Sequence, residues 1–138
     1  MAKGKYDKYF IKATFNKGPF GNPRLRYNRD GQVGDINLGV SMNYITGPNR
    51  APDKPHAHPF DELWLFLGAD QSNAKDFDAE IEVHMGEEGE KHVIKEATVL
   101  EIPRGLVHCP LIFTKVNKPV LFVNLTLTSQ YFQNETKK

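Results

Sequence analysis

At 138 residues, the chain is sized for one domain built around a single core. With 18 Lys and Arg against 17 Asp and Glu, the formal charge is +1, which gives no reason to expect nucleic acid or an acidic membrane surface as partner. The longest apolar runs, such as residues 63–67, are far too short to span a bilayer.

The amino end carries Lys3, Lys5, Lys8 and Lys12 but no apolar stretch behind them, so it does not read as a secretory signal. Residues 9–15 read as a first strand, and residues 17–34 as loop, broken by Gly18-Pro19, Gly21-Asn22-Pro23 and Asp30-Gly31. Residues 36–45 alternate: Ile36, Leu38, Val40, Met42 and Tyr44 oppose Asn37, Gly39, Ser41 and Asn43. A Pro-punctuated loop, 47–55, leads to His56 and His58. Residues 62–67 are apolar on both faces and should form a central strand, after which 69–78 is a polar surface loop. Segments 79–85 and 91–94 flank Gly86-Glu87-Glu88-Gly89 as a hairpin. Strands at 98–102, 107–113 and 120–128 follow, then a polar tail expected to fray. There is no internal repeat, no low-complexity tract and no long helical period. Many short strands in one chain indicate an all-β sandwich or barrel.

The segment His56-Ala57-His58-Pro59-Phe60-Asp61-Glu62 carries the chemistry. Side chains alternate along a strand, so His56 and His58 share a face, and Glu62 returns to it by parity. His108, arriving in Pro103-Arg104-Gly105-Leu106-Val107-His108, completes a set of three imidazoles and one carboxylate that suits Fe, Mn, Ni, Co or Zn as a divalent ion. By the same parity Trp64 and Phe66 line the interior beside Glu62, and Ile112 shares the face of His108. Phe122 and Asn124 share one face of the last strand and join these as pocket-lining positions. Cys109 falls on the opposite face from His108 and reads as a buried structural thiol; a lone Cys points to a reducing cytoplasm. His84 and His92 read as solvent-facing, with Glu82 a candidate interior acid. Arg24, Arg26 and Arg50 have the chemistry to hold a substrate carboxylate; as loop residues they read first as surface charge. The sequons at Asn124 and Asn134 read as chance matches.

These residues resemble the two motifs of the cupin superfamily. His56, His58 and Glu62 match the His-x-His and Glu of the first, and Pro103, Gly105 and His108 match the Pro-x-Gly-x-x-His of the second. The chain departs from the pattern at Arg50, Ala69, Ala97 and Ile112, where the family places Gly, Gly, Gly and Asn. Gly68 stands one residue early, which leaves Asp61 as an alternative acid; Glu62 is preferred because its parity matches the His pair. The resemblance implies a double-stranded β-helix, or jelly-roll barrel: a single domain over 1–138, with the barrel at about 36–128, an amino-terminal strand and loop at 1–35 and a tail at 129–138. It implies a metal-dependent small-molecule enzyme, dioxygenase-like in the first instance, with a non-redox isomerase or lyase, or a ligand-binding and sensing cupin, as alternatives. No general base can be named. The edge strand at 9–15 suggests a homodimer.

Overall fold

The computed structural model describes residues 4–13, 15–28, 34–70, 72–73, 76–129 and the backbone of 134–135. Two antiparallel sheets face each other. The first runs in the order β1 (Phe15–Lys17), β2 (Pro23–Tyr27), β3 (Gly39–Ile45), β11 (Val120–Thr126), β6 (Glu62–Gly68) and β9 (Thr98–Ile102). The second runs β12 (Asn134–Glu135), β5 (His56–Ala57), β10 (His108–Val116), β7 (Ala79–Met85) and β8 (Glu90–Ile94), and β4 (Asn49–Arg50) also pairs with β10. This is the jelly-roll architecture, with sequence-distant strands as neighbours.

The alternation read from the sequence appears as alternating burial. In β6, Glu62, Trp64, Phe66 and Gly68 face inward and are buried, while Leu63, Leu65 and Leu67 are half-buried on the outer face. In β7, Ala79, Ile81 and Val83 face inward, and Glu80 and Glu82 face out. Glu82 therefore lies on the outer surface, against His84 at 3.0 Å and Lys91 at 3.2 Å, and is not an interior acid. The apolar core gathers around Phe66, which stacks on Phe122 at 5.0 Å between ring centroids, with Phe113 edge-on to Phe122 at 6.0 Å. Phe20 closes this cluster from the loop after β1, at 5.1 Å from Phe113.

Four further expectations are corrected. The stretch 9–15 is not a strand: Asp7–Tyr9 form a short 3-10 helix, residues 10–13 are exposed and irregular, and pairing begins at Phe15. The segment 17–34 is not all loop, because Pro23–Tyr27 pairs with both β1 and β3. Its Arg-Leu-Arg-Tyr alternation is a strand signal that the surrounding Gly, Pro and Asn obscured. The tail is not wholly unpaired, since Asn134–Glu135 lies against Ala57 and His56.

The fourth correction concerns β10. A register irregularity separates His108 from Leu111 in the pairing with β7, with Cys109 in the left-handed region at φ 86°. A bulge shifts the parity of every residue beyond it. Leu111 and Phe113 are therefore buried inside, and Ile112 turns outward to pair with Arg50. Cys109 also faces the interior rather than the side opposite His108.

Candidate metal centre

His56 and His108 are direct cross-strand partners on β5 and β10 of the second sheet. His58 follows two residues on, and Glu62 opens β6 in the facing sheet. The centre is thus built by both sheets at one end of the barrel. The turn 103–107 joins the two sequence segments: Gly105 N–H donates to the carbonyl of His58 at 2.8 Å, and Arg104 N–H donates to Asp61 Oδ1 at 2.8 Å. Gly105 sits at φ +81°, with open space where a Cβ would be, so the backbone conformation rather than crowding calls for glycine there. Asp61 is accordingly committed to this turn, and Glu62 is the acid that points into the cluster.

All four side chains are buried, with His56 and His58 2% exposed, Glu62 4% and His108 0%. One ring nitrogen from each of His56, His58 and His108 lies within 4.8 Å of the others. His56 Nδ1 contacts the carbonyl of Lys54 at 2.5 Å and His108 Nδ1 that of Leu106 at 2.9 Å. A carbonyl can only accept, so each Nδ1 carries the proton and each Nε2 presents its lone pair, the orienting arrangement common around metal-binding imidazoles. His58 stacks on Phe60 at 4.7 Å, and Trp64 meets His108 edge-on at 5.4 Å.

Glu62 Oε1 accepts from the Trp64 indole N–H at 3.2 Å. Its Oε2 lies 3.0 Å from His58 Nε2 and 3.2 Å from His108 Nε2, yet Oε2 and His108 Nε2 are buried without a hydrogen-bond partner. Two acceptors facing each other in a dry interior repel unless a cation lies between them. Three imidazoles and a carboxylate are a donor set for a divalent transition metal, so the residues fit one. Burial lowers the basicity of His56, opposed by the Lys54 carbonyl and reinforced by the neighbouring imidazoles. Burial pushes Glu62 upward, and a proton held toward Oε2 by His108 or His58, in the place of a cation, is what draws the carboxyl well below the usual range. Burial thus keeps His56 neutral, and a cation at the centre would keep Glu62 ionised, the states that bind metal.

A cavity of about 220 Å³ abuts this cluster at His56 and Trp64. Phe122 and Asn124 line it, as does Cys109, whose thiol burial pushes well above the ordinary range. Phe66 does not line it; at 0% exposed it belongs to the aromatic core beneath. Ile112 is turned away by the bulge, and Leu111 takes its place. Leu65 is on the outer face, and Arg24, Arg26, Ser41, Asn43 and Asp53 make part of the wall polar. Arg24 and Arg26 reach it because β2 is a strand whose alternate residues face inward. Arg50 is exposed on β4 and takes no part. His92 is exposed beside Glu90, and His84 is half-buried outside the barrel.

No protein-family sequence model matches the chain, and no curated protein matches it in sequence. Solved structures do. The polyketide cyclase RemF from Streptomyces resistomycificus is 12% identical, with a TM-score of 0.57 over 100% of this chain and 87% of its own. Oxalate oxidase, solved with the substrate analogue glycolate, is 16% identical, with a TM-score of 0.57 over 99% of this chain and 67% of its own. FeII HppE is 11% identical, with a TM-score of 0.54 over 83% of this chain and 56% of its own. The fold is that of the cupins. Among the described residues no helix is long and apolar enough to cross a membrane.

Proposed function

We propose that this cupin-fold chain is a metal-dependent small-molecule enzyme, with His56, His58, Glu62 and His108 holding one divalent transition metal and an oxygenase-like, dioxygenase-type reaction as its activity. The observation that carries the reading is the buried meeting of Glu62 Oε2 and His108 Nε2 at 3.2 Å, two groups that need a cation between them. A bound ion of this kind supplies a Lewis acid, an activated water or a site for dioxygen. The residues of the chain supply position: Lys54 and Leu106 carbonyls orient two imidazoles, Trp64 anchors the carboxylate, and the cavity beside His56 admits a compact substrate. The FeII form in which HppE was solved supports iron among the candidate metals.

A non-redox isomerase or lyase is the second reading, favoured by the cyclase RemF among the proteins that share the fold. The buried lone thiol, Cys109, suits a reducing cytoplasm as the compartment. The exposed aromatic residues Tyr6, Tyr9 and Phe10 suit a homodimer contact, which sedimentation analysis would detect.

The test is elemental analysis of the purified, untagged protein beside a His56→Ala/His108→Ala variant. About one transition-metal ion per chain, lost in the variant, is the expected result. A native protein that retains none of Fe, Mn, Ni, Co or Zn after loading would refute the reading. Bound metal without turnover of any substrate would leave a small-ligand binding cupin.

A further inference from the structure

We propose that the cavity beside the His cluster binds a small organic acid, with Arg24 and Arg26 holding its carboxylate and Asn124 accepting a hydrogen bond from a hydroxyl on the same molecule. The inference rests on the metal-dependent reading only in directing the other end of the acid toward His56.

The strand register places these groups in rows across the concave face of the first sheet. Arg26 on β2 is opposite Ser41 on β3, Ser41 is opposite Asn124 on β11, and Asn124 is opposite Trp64 on β6. Trp64 in turn donates to Glu62. One polar row therefore runs from a guanidinium to the metal centre. In the next row Arg24 is opposite Asn43, which is opposite Phe122.

The polar groups of this face divide into framework and recognition. Asn43 Nδ2 donates to Ser41 Oγ at 3.1 Å, and Asn43 Oδ1 accepts from Asn22 at 3.3 Å, so the β3 pair is satisfied within the protein. Arg24 is oriented by Asn16 Oδ1 at 3.2 Å and the Lys17 carbonyl at 3.3 Å. Asn124 is different: its Oδ1 is buried and has no hydrogen-bond partner. A buried acceptor facing a cavity calls for a donor from whatever fills it.

Charge selects the anion. Two guanidinium groups against the single Asp53 carboxylate among the lining residues favour an anion. The planar fork of Arg matches a carboxylate bidentately. A volume of about 220 Å³ restricts the ligand to a compact acid.

The experiment is a heteronuclear NMR titration of the full-length protein, zinc-loaded and metal-free, with lactate, propionate and lactamide. Lactate should shift the side-chain signals of Arg24, Arg26 and Asn124 and bind at least about tenfold more tightly than lactamide. Propionate, lacking the hydroxyl, should bind more weakly than lactate and leave the Asn124 amide unshifted. Arg24→Gln and Arg26→Gln should each weaken lactate by about tenfold or more with metal content unchanged, and Arg26→Lys should restore part of the loss. Lactate binding undiminished in both Gln variants, or lactamide binding as tightly as lactate, would overturn the inference while leaving the metal reading intact. Arg-dependent lactate binding in a protein that takes up no metal would uphold the inference and sink the metal reading. Amide spectra of the variants that match the native dispersion separate lost recognition from lost folding.

Discussion

Glu62→Gln isolates the charge of the carboxylate from its shape. The carboxamide occupies the same volume, keeps an oxygen to accept from Trp64 Nε1, and turns an N–H donor toward the lone pair of His108 Nε2, 3.2 Å from the present Oε2. In metal-free protein the substitution removes a buried negative charge whose desolvation is costly, so stability should hold or rise. Metal binding should suffer, because even residues that merely support a ligand typically cost 10–100-fold in affinity when changed, and Glu62 would face the ion directly. Taking a loss of about 100-fold, the stabilisation conferred by excess metal falls by about 2.7 kcal/mol. A chain of 138 residues has an unfolding entropy near its midpoint of about 0.29 kcal/mol/K. The rise in Tm on adding Mn(II) or Ni(II) should therefore be about 9 °C smaller in the variant than in the native protein. Scanning calorimetry at matched metal concentrations measures both halves. An unchanged metal-induced rise would refute Glu62 as a ligand, and a metal-free variant that is markedly less stable would refute the view that its buried charge lacks an adequate partner within the protein.

Trp64→Phe strips the N–H donor from Glu62 Oε1 and should cost at least about 1–3 kcal/mol in denaturant unfolding, with about tenfold or more loss of metal affinity; an affinity unchanged within error would show that the indole does not steady the carboxylate. Phe66→Ala empties a fully buried site against Phe122 and should destabilise by about 3–5 kcal/mol while leaving metal stoichiometry intact, which separates core from cavity wall. The Cys109 thiol should react with a disulfide reagent at least about a hundredfold more slowly in the native protein than in guanidinium, and rapid stoichiometric labelling of the folded chain would contradict its burial.

Much of the barrel was legible in the chain because strand alternation is a local property. The strand at 79–85 and that at 98–102 have the bounds read from their composition, and Glu62, Trp64 and Phe66 share a face as period two requires. The approach of His56 and His58 to His108 was legible only through motif resemblance, since nothing local tells a strand which distant strand it will meet. The depth of Phe66 within that face was equally invisible, because parity assigns a side and not a height along the barrel.

The sequence alone determined the all-β class and offered the His56, His58 and His108 imidazoles and the Glu62 carboxylate as side chains of metal-binding chemistry, since both follow from side-chain type and spacing. Tertiary structure decided three further matters. The irregularity after His108 reversed the parity of β10, moving Leu111 into the cavity and Ile112 out of it. Pairing with β3 drew Pro23–Tyr27 into a sheet despite its flanking turn residues and brought two arginines to the cavity wall. The Arg104 amide claimed Asp61 and left Glu62 to face the imidazoles. Each outcome depends on backbone hydrogen-bonding partners brought from far along the chain, and for that reason only the folded structure could supply it.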